Sequence, residues 1–220
     1  MESNKKKAVI FSYDDGVTND KRLVELFNKY NLKGTFHLNS GKLDTEGHLN
    51  SAEIKTLFQG HEVSAHSLTH PWLTKLTKEQ IFEEMNTDKT NLEALIEYEV
   101  KGMSYPYGAY DDKTLKVLNE LGIQYGRTTR STLDFTIPKD FLKLHPTCHH
   151  SRLGQVIDKF LEDEKAQLLY VWGHSYEFNT EESWEQLEKL LKKLSRDDIW
   201  STTNIEFVKY IFNNNSCFNF

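Results

Sequence analysis

Four short stretches of this 220-residue chain carry side chains able to do chemistry together: Phe-Ser-Tyr-Asp-Asp-Gly with Asp14 and Asp15, His-Ser-Leu-Thr-His-Pro with His66 and His70, Tyr-Pro-Tyr-Gly with Pro106 and Tyr107, and Val-Trp-Gly-His ending at His174. Neighbours in an extended strand exit point different ways. Of Asp14 and Asp15, one carboxylate can therefore bind a cation while the other accepts a proton. His66 and His70 are four residues apart, and one helical turn would put both imidazoles on one side, as in histidine-pair zinc sites. With Asp15 they supply one carboxylate and two imidazoles. Three protein ligands with positions left open describe a catalytic rather than a structural metal centre, for a divalent ion and by ligand type zinc. Tyr107 could present its backbone N–H to a developing oxyanion, and His174 could act as a general acid. Each stretch also has an ordinary explanation. Asp-Asp-Gly and Pro-Tyr-Gly are common turns, and single histidines are usually just hydrogen-bonded.

The elements that would position these residues favour the chemical reading. Short apolar runs at Ala8–Tyr13, Gly34–Leu38, Glu62–Ala65, Gly102–Tyr105, Ile123–Gly126, Leu168–Trp172 and Ile199–Ser201 predict strands. Between them, Leu23/Leu26/Phe27/Tyr30, Ile81/Met85/Leu92/Ile96, Val156/Ile157/Phe160/Leu161 and Trp184/Leu187/Leu191/Leu194 recur at helical spacing. Thr77 and Gln80 have capping-box spacing. Strand–helix alternation throughout predicts parallel strands with helical crossovers, in a barrel or a doubly wound sheet, and in both the ligand sits where strands end. Asp14–Asp15, His66, Pro106–Tyr107, Arg127 and His174 each follow a predicted strand, so they gather at one end. With no long linker and no repeat, residues 1–220 read as one domain.

Bulk properties exclude some functions. Hydrophobic residues at 38% and aromatics at 12% indicate a globular protein. A net charge of −6 disfavours nucleic acid and anionic membrane surfaces. Cys148 and Cys217 match no zinc or redox spacing and do not make a disulfide scaffold. Met1–Lys7 is polar and the apolar run after it stops at Asp14, so neither a signal peptide nor a membrane span is expected, and a cytoplasmic location follows.

The order Asp-Asp-Gly, His-x-x-x-His, Pro-Tyr-Gly, apolar-x-His resembles the polysaccharide deacetylases, carbohydrate esterase family 4, the NodB homology domain. The resemblance spans Phe11 to His174. It implies an α/β fold, a distorted (β/α) barrel of about seven parallel strands, and removal of N- or O-acetyl groups from a carbohydrate. It implies Asp14 as general base, Asp15, His66 and His70 as metal ligands, Tyr107 beside Pro106 as an oxyanion donor and His174 as general acid. Trp172 falls where the family has a Leu lining the acetyl pocket. Asp134–Phe135 loosely matches an Asp-Trp pair whose carboxylate orients the acid histidine. Ser104 replaces an Arg that holds the base carboxylate. Arg127 is the expected substitute, because Tyr125 and Arg127 share a strand face and an inward Tyr125 turns Arg127 to the mouth; Arg130 is second. Two other functions compete: a related amidohydrolase on a small cyclic imide or ureide, or another small N-acyl compound, and a non-catalytic carbohydrate-binding pseudoenzyme. His145–His150 reads as a loop near the mouth rather than a second metal site, and Asn204 and Glu206 as rim contacts. Oligomeric state is left open.

Overall fold

A computed structural model describes residues 5–214. Its strands are β1 (Lys7–Asp15), β2 (Thr35–Leu38), β3 (Glu62–Ala65), β4 (Gly102–Ser104), β5 (Tyr125–Arg127), β6 (Cys148–His149), β7 (Leu168–Gly173) and β8 (Ile199–Thr202). The helices are α1 (Asp20–Lys29), α2 (Ile54–Leu57), α3 (Lys78–Ile96), α4 (Asp112–Glu120), α5 (Leu153–Glu162), α6 (Glu181–Leu194) and α7 (Asn204–Asn214). The seven predicted strands are present with shifted ends. The two-residue β6 was not predicted, nor were α2, α4 and α7.

All strand pairs are parallel, in the order β5-β4-β3-β2-β1-β7-β6. Two features make this a distorted barrel. On the edge of β1 opposite β7, β8 pairs Lys7–Ile10 and β2 pairs Ser12–Asp15, so β8 wedges in at the base. On the far side, Leu144 bonds to Gly126 and Thr128 beside β5, and Cys148–His149 pairs with β7. The Leu144–His149 segment thus joins the sheet's two ends.

Alternation along the strands explains both cores. Val9, Phe11 and Tyr13 of β1 face outward into the layer shared with Phe27, Ile81, Leu92, Phe160 and Leu191 of the helices. Ala8 and Ile10 face inward and meet Leu168, Tyr170, Phe207, Val208 and Ile211, so α7 plugs the base of the barrel. The same inward face of β1 continues to Ser12 and Asp14, both buried. The interior therefore changes from apolar at the base to polar at the mouth. Midway, Ser12 Oγ lies 2.8 Å from His37 Nε2, and Tyr125 donates to Glu62 Oε1 at 2.7 Å. Gly102 makes room for that tyrosine, since a Cβ there would sit 1.9 Å from the Tyr125 ring. Helix α3 starts with the predicted capping box, Thr77 and Gln80 each bonding the other's backbone N–H. Among the described residues no helix is long and apolar enough to cross a membrane. Cys148 is buried and unbridged, and Cys217 lies outside the described residues.

Candidate active site

Asp14 and Asp15 close β1, His66 follows β3, Ser104 ends β4, Arg127 ends β5 and His174 follows β7. Parallel pairing in register brings these ends to one mouth. Asp15 Oδ1 lies 3.8 Å from His66 Nε2 and 3.8 Å from His70 Nε2. The two imidazoles are 4.7 Å apart, centroid to centroid.

The histidines do not converge by a helical turn as their spacing predicted. Ser67 and His70 both have φ of +64°, and a loop folds His70 back toward His66. Asp15 (φ +81°) and Tyr107 (φ +58°) are also left-handed. Such conformations cost roughly 1–3 kcal/mol each and persist where surrounding contacts enforce them. Those contacts are present here. Asp88 accepts the His66 and Ser40 N–H groups at 3.0 and 2.7 Å, and Asn39 Nδ2 donates to the carbonyls of His66 and Ser67 at 2.7 and 2.8 Å. His66 Nδ1 lies 2.8 Å from the Ser104 carbonyl, which assigns its proton there and leaves Nε2 facing Asp15. Burial lowers the His66 pKa, and burial followed by the neighbouring His66 takes His70 to about 4. Both rings are neutral at pH 7, the form a metal needs. One carboxylate and two neutral imidazoles aimed at a common point fit a divalent ion.

Asp14 is 2% exposed, and Arg127, fully buried, binds both of its carboxylate oxygens. Ser104 Oγ donates to Oδ1 at 3.0 Å. Burial alone would raise the Asp14 pKa, but Arg127 first, then His66, His37 and His174, hold it well below the usual carboxylate range. Arg127 thus reaches Asp14 from the strand beside Ser104, on the face shared with Tyr125, as the alternation argument requires. Arg130 has its backbone N–H on Thr128 Oγ1 and is not among the partners of Asp14.

On the other side of the mouth, His174 Nε2 is 4.0 Å from Asp15 Oδ2, and its Nδ1 is 3.2 Å from Glu177 Oε1. Burial lowers its pKa but is outweighed by Glu177, Asp14 and Asp15, so the net shift is upward. Trp172 is partly buried, with the Arg127 guanidinium 4.8 Å from its ring centroid and His174 5.6 Å away. Pro106 is buried at the turn, and Tyr107 stands 50% exposed, its ring edge-on to His70 and stacked on Trp72.

Several expectations are corrected. Asp134 and Phe135 do not reach His174. The Phe135 carbonyl accepts the Leu168 N–H at the start of β7, whereas His174 follows the end of that strand. Asp134 is exposed and caps Thr136 N–H, and Phe135 is buried against Phe160 rather than offered to substrate. The carboxylate on His174 is Glu177, which sequence reasoning missed; its one signal was a glutamate three residues after the candidate acid. His149 belongs to β6 and His150 opens the turn after it, with both Nε2 atoms 2.9 Å from Glu177 Oε2. Asn204 is buried in the barrel near His37, and Glu206 pairs with Lys33, so neither is a rim contact.

The sequence profile of the polysaccharide deacetylase family matches residues 2–126, more than half of the chain, and the chain belongs to that family. Peptidoglycan-N-acetylmuramic acid deacetylase PdaA of Bacillus subtilis is 28% identical over 133 residues, covering 56% of this chain and 47% of PdaA. The chain spans less than half the length of the curated relatives it matches. A Mycobacterium smegmatis structure named among the polysaccharide deacetylases superposes with TM-score 0.77 at 15% identity, covering 98% of this chain and 93% of that one. The family 4 pseudoenzyme BA3943 of Bacillus anthracis gives TM-score 0.64 at 22% identity, covering 93% and 66%. These two structures share the fold. That one is a pseudoenzyme means fold alone does not carry activity.

Proposed function

We propose that the chain is a metal-dependent hydrolase that removes N- or O-linked acetyl groups from a carbohydrate chain. The observation that carries this proposal is the buried Asp14–Arg127 pair directly beside the Asp15–His66–His70 triangle. A proton acceptor held as an anion stands next to a donor set for a divalent ion, zinc by ligand type. Such an ion, when bound, polarises an acyl carbonyl and makes water more acidic.

The chain's own residues divide the remaining work. Asp14, kept anionic by Arg127 and oriented by Ser104, takes the proton of the attacking water. The Tyr107 N–H donates to the oxyanion that develops on the acyl oxygen. His174 gives a proton through Nε2 to the departing nitrogen or oxygen, without which an amine leaves very poorly. Trp172 walls the acetyl pocket beside Arg127.

The shape of the mouth favours a sugar chain over a small cyclic amide. Trp72 (42% exposed) and Tyr107 (50%) stand on the His70 side, and Tyr176 (46%) stacks on His174 across from them. Exposed rings on both flanks suit an extended ligand with apolar sugar faces, whereas small-molecule sites are enclosed. The relative PdaA is named for N-acetylmuramic acid in peptidoglycan, which makes cell-wall glycan a leading candidate. The test is acetate release from peptidoglycan fragments, chitooligosaccharides and acetylated xylan, beside hydrolysis of cyclic imides and ureides. Turnover of an acetylated glycan is the expected result. Turnover of cyclic imides alone, or of no substrate with metal loaded, overturns the proposal in favour of the amidohydrolase or the pseudoenzyme.

A further inference from the structure

Glu177 lies in the short turn after β7, three residues past His174, and no motif of the sequence points to it. It is the hub of three histidine side chains. His149 Nε2 and His150 Nε2 each lie 2.9 Å from Oε2, and His174 Nδ1 lies 3.2 Å from Oε1. The two bracing histidines come from β6 and the turn after it, the segment that joins the sheet's ends. Their other nitrogens identify them as donors to Glu177. His149 Nδ1 accepts the Ser151 N–H at 3.4 Å and lies 2.9 Å from Ser151 Oγ, a hydroxyl free to donate to it, and His150 Nδ1 is buried with no partner. Rings protonated on Nε2 fit both observations, since a carboxylate oxygen can only accept. With Oε2 taken by two donors, Oε1 is fixed on His174, and a carboxylate oxygen there can only accept. His174 must then carry a proton on Nδ1.

We propose that Glu177, braced by His149 and His150, is the positioning residue of His174: it fixes the ring's tautomer and aim. The proposal rests on His174 being the acid. As the C–N bond breaks, its electron pair stays with the leaving nitrogen, which takes the proton from Nε2, and the ring returns to neutral still holding its Nδ1 proton on Glu177. A neutral ring in the opposite tautomer has its proton on Nε2 and none to hold on Nδ1, so it cannot pass through this cycle.

Glu177→Gln tests this because the bracing histidines dictate how an amide must sit. Their two donors require the amide oxygen at the Oε2 position, which leaves the NH₂ facing His174 Nδ1. That nitrogen must then accept, and the neutral ring moves its proton to Nε2. Two readouts follow. Long-range ¹H–¹⁵N spectra of histidine-labelled protein at alkaline pH, with and without zinc, should show His174 as the Nδ1–H tautomer in the wild type and Nε2–H in Glu177→Gln. With zinc bound, turnover of an N-acetyl chitooligosaccharide should fall roughly tenfold to a hundredfold in kcat at unchanged KM. Turnover of 4-nitrophenyl acetate, whose leaving group departs unprotonated, should stay within about threefold. In a His174→Ala background the same substitution should add nothing to the loss on the amide, as expected of residues acting as one unit. The same His174 tautomer in both proteins, or equal losses on both substrates, overturns the proposal. If His174→Ala leaves amide turnover intact, the acid assignment fails; if it slows the amide and Glu177→Gln does not, only the role of Glu177 fails.

Discussion

On one side of the mouth, Asp15, His66 and His70 stand on the ends of β1 and β3 and one short loop, and every residue of the set lies in a recognisable motif. On the other, His174 takes its carboxylate from its own turn, and that carboxylate is braced by histidines of the irregular segment after β5. The two sides differ in how their partners are specified. Parallel strands in register, Asp14 opposite His37 and Ala65 opposite Met103, put their following residues side by side whatever the crossovers do. The path from Arg127 to Cys148 has almost no regular structure, so where it delivers a side chain depends on tertiary contacts that no periodicity announces.

The comparison can be broken first at Arg127, where the largest effect on stability is expected. Arg127→Leu leaves Asp14 buried without its cation, and breaking a buried pair costs about 3–5 kcal/mol. The sign with pH is specific. The folded pKa of Asp14 lies below its unfolded value, so the pair's contribution is present at neutral pH and is lost as pH falls below about 4. In the variant the buried carboxyl protonates more readily. The gap in melting temperature between the two proteins should therefore narrow as pH falls from 7 to 3. A gap that is constant with pH would show that Asp14 is not held as an anion by Arg127.

A moderate effect is expected at Trp172. Trp172→Leu removes the ring 4.8 Å from the Arg127 guanidinium, a contact worth about 0.5–2 kcal/mol, and enlarges the space beside it. The ratio of propionyl to acetyl turnover on matched sugars should rise roughly tenfold, the usual value of one methylene in a shaped pocket. An unchanged ratio would place the acyl group elsewhere. The smallest effect sharpens the contrast between the sides: Asp134→Asn should alter kcat by less than about twofold, because its carboxylate only caps an exposed turn. A large loss there would return the orienting role to the residue that sequence matching favours.

Much of this architecture is legible in the sequence. Alternation places Ala8, Ile10, Ser12 and Asp14 on one face, and the shared face of Tyr125 and Arg127 points the guanidinium at Asp14. Three kinds of information are not legible. The His66–His70 loop relies on two left-handed residues, Ser67 and His70, neither a glycine that would advertise a positive φ. β6 is two residues long and has no pattern to detect. Asp134–Phe135 is a loose match that attaches to the wrong end of β7, a distinction that the Leu168 N–H bond to the Phe135 carbonyl reveals.

The mouth is proposed to act as a metal-dependent deacetylase with Asp14 as its proton acceptor. Acetate released from an acetylated glycan by chelator-treated protein, before and after zinc is restored, tests it most directly when wild type and Asp14→Asn are run side by side with their zinc content measured. No release is expected without metal, with recovery in the wild type and a variant that loads equal zinc but turns over at least about a hundredfold more slowly. Release that ignores the chelator, or an Asp14→Asn protein as fast as the wild type, would contradict it.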